Sequence, residues 1–107
     1  MIIEISDKYD YNTLNTKTIS IDTKFLPVYM KDNIKKCLKE CDFFNLKSEP
    51  LDTVENPRYY IIRVIDDGVF HEVVSVLELM NNYIKIYPLF CYFRTCHKEV
   101  EFYIRNY

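Results

Sequence analysis

The residues around the chain's single glycine constrain the fold more than any other stretch. Asp66-Asp67-Gly68 divides two runs rich in β-branched and aromatic residues, RYYIIRVI before it and VFHEVVSVLEL after it. A tight hairpin turn needs positive φ angles, and Asp-Gly supplies them at little steric cost. Residues 58–79 are therefore predicted to form a β-hairpin on which the other elements pack or pair. In its first arm a solvent-facing Arg63 sends Tyr60, Ile62 and Val64 to the core, by the two-residue period of a strand. The second arm has no such clean phase, because Glu72 and Ser75 have opposite parity; a bulge would reconcile them.

The rest of the chain supplies partners for this hairpin. Ile2, Ile3 and Ile5 form a short apolar run that reads as a first strand, broken by the turn formers Asp7-Lys8-Tyr9-Asp10-Tyr11-Asn12-Thr13. Between residues 16 and 22, Ile19 and Ile21 alternate with Thr18, Ser20 and Asp22, as in a strand with one wet face. These two strands are predicted to pair across the loop at residues 7–15. Pro27 suits the first turn of a helix. Ile34, Cys37, Leu38 and Cys41 then recur at i, i+3, i+4 and i+7 against a charged opposite face, which predicts an amphipathic helix over about residues 28–42. Phe43, Phe44 and Leu46 anchor its exit to the core, and the proline-bearing residues 47–57 read as a loop.

After the hairpin, Asn81-Asn82 closes the strand and offers a cap for a second helix. Leu89, Phe93 and Cys96 keep helical spacing, with Pro88 in the first turn or at a kink. From residue 99 to 107 the period changes, as Val100, Phe102 and Ile104 alternate with polar neighbours or tyrosine. Val100 also continues the helical spacing, so helix and strand both remain open there, with an extra C-terminal strand slightly favoured. The prediction is one α+β domain over residues 1–107. It holds a four-stranded, mostly antiparallel sheet in ββαββα order with two helices packed on it.

Composition narrows the function classes. A net charge of -2 gives no global reason to bind nucleic acid or an anionic membrane. The apolar runs fall far short of the roughly 20 residues a membrane span needs. Ten Tyr and seven Phe suggest a stacking surface for single strands, but no basic stripe accompanies them, so core and sheet aromatics are expected. Met1-Ile2-Ile3-Glu4 has neither a basic n-region nor a cleavable apolar stretch, so a cytoplasmic protein is expected. The lack of Ala, Trp and Gln beside abundant Ile, Lys, Asn and Tyr reflects AT-rich codons rather than a function.

Catalytic and metal signatures are weak. Cys37 and Cys41 share a helix face, and Cys91 and Cys96 lie on or near the other helix, but neither spacing is the C-x-x-C of a zinc knuckle. Free thiols acting as small hydrophobes are the expected state, with zinc and disulfides as the alternatives. His71 and His97 have no local H-x-x-x-H, H-E-x-x-H or Cys-His signature. Partners in a Cys-His nucleophilic pair meet in space rather than in the chain, so that pair stays a minor alternative. A single glycine precludes a glycine-rich phosphate loop, and Asp66-Asp67 reads as turn chemistry. No enzyme activity, cofactor or metal is expected.

One resemblance goes further. The "IEIS" strand, a second strand ending "ISIDTKFLP", a helix leaving through "CDFFNLKSEP", the hairpin "YYIIRVIDDGVFHEVV" and "PLFCYF" on the last helix together resemble the emfourin family. Its most specific part is Phe43-Phe44-Asn45-Leu46 followed by a proline-bearing loop and a hairpin with His71 in its second arm. The resemblance covers roughly residues 2–96. It implies inhibition of a protealysin-like, thermolysin-type zinc metalloprotease by tight surface binding, with the active-site cleft blocked rather than substrate turned over. Family members carry a Ser-Gly-Gly type turn after the first strand, whereas Ser6 here is followed by Asp7-Lys8-Tyr9. A rigid loop with a few anchors would make such a contact, and Tyr9, Tyr11 and Asn12 are the candidate partner-binding residues. The competing reading is a non-catalytic binding module for another protein, including a homodimer through an exposed sheet edge.

Overall fold

The computed structural model describes the backbone of residues 1–9 and 17–106, and the side chains of these except at 9, 17, 97 and 99–106. The elements run β1 (Ile2–Tyr9), β2 (Lys17–Asp22), α1 (Val28–Glu40), β3 (Arg58–Asp66), β4 (Val69–Val76) and α2 (Asn82–Asn106). The strands form one antiparallel sheet in the order β2-β1-β3-β4. This is the α+β class the sequence predicts. β1 is central, and its register aligns Ile3 with Ile21 on one side and Val64 on the other.

The β3–β4 hairpin closes through a two-residue turn. Asp67 and Gly68 have φ of 51° and 79°, and Asp66 pairs with Val69. Two successive positive φ values give the turn whose twist matches antiparallel strands. Tyr60, Ile62 and Val64 are buried as expected. No bulge is present: the register runs unbroken from Asp66–Val69 to Tyr59–Val76. Glu72 instead faces outward opposite Arg63, and Ser75 lies buried on the core side opposite Tyr60.

Two expectations are corrected, and the open choice at Pro88 is settled. Asp7, Lys8 and Tyr9 continue β1 rather than breaking it, because β3 pairs with all three positions and Lys17 pairs with Asp7. Pairing with β3 at all three positions, and with β2 as well at Asp7, overrides the weak strand preference of Asp7 and Lys8. α2 starts at Asn82, six residues before Pro88, so Pro88 lies inside the helix. Pro88 is solvent-exposed, and the carbonyl of Ile84 that loses its helical donor there can be hydrated. Residues 99–106 continue α2 instead of adding a strand. Nothing between Pro88 and Asn106 breaks a helix, and the spacing of Leu89, Phe93 and Cys96 runs on to Val100.

The core lies between one sheet face and the two helices. Met30, Ile34 and Leu38 from α1 and Ile86, Leu89 and Phe93 from α2 meet Ile3, Ile62 and Val73 from the sheet. α1 ends as Asp42 takes a left-handed conformation (φ 53°), and Asn45 Nδ2 donates to its carboxylate at 2.8 Å. That reversal turns the chain into the short 3-10 turn Phe43–Asn45, which delivers Phe43 into the core at 0% exposure. The following loop seals the outer edge of β4. Val74 N–H donates to Ser48 Oγ (2.9 Å), Glu49 N–H donates to the Val74 carbonyl (3.0 Å), and Val76 N–H donates to Glu49 Oε1 (3.0 Å). Asn82 Nδ2 adds bonds to the carbonyls of Lys47 (2.8 Å) and Val74 (3.3 Å), fastening the start of α2 to that edge.

Candidate interaction surfaces

The sheet's second face is open and carries a cross-strand ionic row. Glu4, Arg63 and Glu72 stand opposite one another on β1, β3 and β4. Arg63 Nε donates to Glu72 Oε1 at 2.6 Å, and Nη1 lies 3.8 Å from Glu4 Oε2. The Glu72 bond holds the Arg63 guanidinium even more firmly in its charged form. One guanidinium thus bridges two carboxylates, and the row keeps a net negative charge.

His71, the histidine in the resemblance's most specific stretch, is a packed side chain. Its ring meets Phe43 edge-on at 5.3 Å between centroids, and its Nε2 lies 3.1 Å from the Leu46 carbonyl. A carbonyl only accepts, so Nε2 carries the proton and donates. The His71–Leu46–Phe43 group therefore ties the exit of α1 to β4.

The four cysteines are free thiols. Cys37 and Cys41 are half-buried, and burial pushes both thiols up from their ordinary range. Cys96 is fully buried and Cys91 is exposed. Among the described residues no group of three or more His, Cys, Asp or Glu side chains converges as a metal site would require. No helix is long and apolar enough to cross a membrane among the residues described.

Of the candidate partner-binding residues, Tyr9 contributes its backbone to β1 opposite Arg58. Its side chain, together with Tyr11 and Asn12, lies outside the described residues. β1 thus runs three residues past Ser6, where the family's glycine-rich turn would stand.

The described surface offers other apolar groups that sequence reasoning passed over. Phe25 (74% exposed) and Val28 (70%) project where a 3-10 turn enters α1. Val69 and Phe70 are exposed beside the hairpin turn. On α2, Ile84 (60% exposed) and Tyr87 (50%) lie one turn apart, with exposed Met80 just before the helix. The α2 stripe was readable, because residues 84, 87, 88 and 91 have helical spacing and Asn81-Asn82 offered a cap before them. Several depressions also occur, among them one of about 450 Å³ beside the exit of α1, lined by Glu40, Asp42 and Lys85 among others. Another of about 600 Å³ lies between residues 45–50 and the start of α2, lined by Lys47, Asn81 and Lys85 among others. A smaller one of about 270 Å³ is walled by Ile5, Ile19, Tyr60, Phe90 and Phe93, with Asp7 and Arg94 also lining it. Burial, followed by the charge of Asp7, holds the Tyr60 phenol above its ordinary range. The surface is suited to binding through scattered apolar anchors.

Comparisons with protein-family models, curated proteins and solved structures returned no match to this chain.

Proposed function

We propose that this protein is a cytoplasmic, non-enzymatic inhibitor of a thermolysin-type zinc metalloprotease, acting by tight surface binding. The observation that carries the reading is the resemblance at Phe43-Phe44-Asn45-Leu46 and His71. These residues assemble into one packed group, with Phe43 against the His71 ring and His71 bonded to Leu46. The ββαββα order of elements is consistent with it. In this reading the loop beginning after Tyr9 approaches the protease, and Tyr9, Tyr11 and Asn12 are the candidate anchors.

Titration into an assay of a thermolysin-type protease, first one whose gene neighbours the gene for this chain, tests the proposal. Stoichiometric loss of activity is expected, weakened by Tyr11→Ala and Asn12→Ala. Full protease activity at a micromolar excess of the folded chain would sink it. The second reading, a binding module for another protein, is favoured by the exposed Phe25, Val28, Ile84 and Tyr87. In its homodimeric form it predicts twice the monomer mass in size-exclusion chromatography with light scattering, and a strictly monomeric mass removes that form.

A further inference from the structure

The two edges of the sheet are finished differently. At β4, Ser48 and Glu49 take up the outward N–H groups of Val74 and Val76 and the Val74 carbonyl. β2 forms the other edge. There, Thr23 N–H donates to the Met1 carbonyl at 2.8 Å, which continues the β1–β2 register by one pair and fixes its phase. Hydrogen-bonded and non-hydrogen-bonded pairs alternate in an antiparallel ladder. Ile19 and Ile21 therefore bond to β1, and the backbone groups of Thr18, Ser20 and Asp22 point out of the sheet. None of those three N–H groups has a hydrogen-bond partner among the described residues. The edge also lacks the devices that keep native strands from pairing. β2 holds no proline, its register with β1 has no bulge, and no charged residue stands between Lys17 and Asp22. Thr18 and Ser20 are exposed, and Ile19 is half-buried at the margin of the core.

This strand is complementary to itself. Two copies related by a two-fold axis perpendicular to the sheet pair antiparallel and keep both helical layers on one side, provided that residues of equal parity meet. With the axis at Ser20, all three outward-facing residues find partners. Ser20 N–H donates to the Ser20 carbonyl of the second copy and Asp22 N–H to its Thr18 carbonyl, each bond made twice by symmetry. Moving the axis to Ile19 or Ile21 carries Asp22 or Thr18 past the end of the opposing strand. On the open face the small Ser20 side chains meet one another. With Ser6 Oγ donating to it at 2.9 Å, the Thr18 hydroxyl keeps its proton for the Asp22 carboxylate of the second copy. On the helical side Ile19 meets Ile21, which carries the apolar layer across the join. No like charges stand opposite one another in this register. The Glu4 carboxylates, next in the row behind Ser20, lie three strand spacings or about 14 Å apart, beyond the screening length at physiological salt.

We infer that β2 is the pairing edge of a symmetric dimer, in which the β2 strands of two copies join their sheets into one, centred on Ser20. The inference rests on the homodimeric form of the second reading and names its surface and register; the protease reading stands or falls separately. A strand of this length makes an interface below the roughly 1,200 Å² of stable complexes, so monomer and dimer should exchange, with a dissociation constant on the order of 10 μM.

Sedimentation equilibrium of the full chain, from about 1 to about 300 μM, follows the exchange. Ser20→Pro removes the outward N–H without removing a bond to β1, and edge strands accept proline at such a position. It is expected to weaken the dimer about tenfold or more, two bonds being lost by symmetry. A second arm reads the register itself. Residues facing each other as a hydrogen-bonded pair have Cα atoms about 5.5 Å apart, within disulfide reach. Ser20→Cys chains should therefore link into covalent dimers under oxidised glutathione, resolved on a non-reducing gel. In Thr18→Cys the two thiols start about 14 Å apart, so linkage should stay at the level of the parent, whose exposed Cys91 sets the background. Where circular dichroism shows Ser20→Pro to be unfolded, the cysteine arm decides alone. Dimers indifferent to Ser20→Pro and not linked by Ser20→Cys would overturn the inference and leave the homodimeric form of the second reading standing on another surface. Equal linkage through Thr18→Cys and Ser20→Cys would overturn the register and the inference with it. A monomeric mass over the whole concentration range would remove both the inference and that form.

Discussion

Truncating Phe43 and Phe44 separately is the sharpest test of how the exit of α1 is held. The two residues are adjacent and chemically identical, yet Phe43 is 0% exposed and Phe44 is 44% exposed. Phe43 packs edge-on against both His71 (5.3 Å) and Phe44 (5.6 Å) and belongs to the main core. Phe43→Ala removes a fully buried ring and leaves a cavity, at a cost of about 3–5 kcal/mol. A chain of this length unfolds with an entropy of about 0.22 kcal/mol per degree, so the midpoint should fall by about 13–22 °C. Phe44→Ala removes a ring already half in water and should cost about 1 kcal/mol, or about 5 °C. Differential scanning calorimetry and urea unfolding of both variants beside the parent measure the contrast. Equal losses, or a loss below about 5 °C for Phe43→Ala, would refute the reasoning that this residue anchors the turn. A large loss would also give the most specific stretch of the resemblance a structural role, leaving binding to be sought elsewhere.

Four further outcomes follow from particular atoms. Ser75 is fully buried and its Oγ has no hydrogen-bond partner, so Ser75→Ala is expected to raise stability by up to about 1 kcal/mol in urea unfolding; a clear loss would contradict that reading of the hydroxyl. Gly68→Ala meets open space but keeps a φ of +79°, so it should cost about 1–2 kcal/mol through backbone strain alone, measured by chemical denaturation. Burial raises the folded pKa of Cys37, Cys41 and Tyr60. The unfolded chain therefore loses these protons first as pH rises, and stability should hold through neutrality and fall above about pH 8.5. Urea midpoints at pH 7.5 and 10 check this, with a smaller drop in Cys37→Ala, Cys41→Ala. At neutral pH, iodoacetamide should modify exposed Cys91 before buried Cys96, read by peptide mass mapping.

What the sequence disclosed depended on whether one local signal settled the matter. Asp67-Gly68 forced a turn that few other dipeptides accept, and the α1 stripe of Ile34 and Leu38 had a single compatible period, so both elements were legible. Ser75 was not, because a serine gives no sign of being buried; its position follows from its place opposite Tyr60 in the register. Asp7-Lys8-Tyr9 looked like a turn because the local chain has no memory of its neighbours. Only the strand order, with β1 between β2 and β3, gives Asp7 ladder partners on both sides and Lys8 and Tyr9 partners on β3.

Pro88 left the start of α2 open in the sequence. A proline is cheapest in a helix's first turn, which competed with Asn81-Asn82 as the cap and Pro88 at a kink. Tertiary anchoring decides for a start at Asn82, whose side chain bonds Lys47 and Val74 across the β4 edge. The proline is then tolerated inside the helix because its exposed side lets water reach the unpaired Ile84 carbonyl. That start brings Ile84 and Tyr87 into the helix, in register with Cys91, and so creates the outward apolar stripe. Had the helix begun at Pro88, those side chains would lie in a connecting loop without common direction. The bonds from Asn82 thus set both where α2 begins and which residues it turns outward. Asn82→Ala should accordingly lower helix content in circular dichroism as well as stability, whereas Ser48→Ala, which loses a β4 edge bond without touching the helix start, should lower stability alone. Equal helix content in the two variants after correction for the folded fraction would separate the helix start from its anchor.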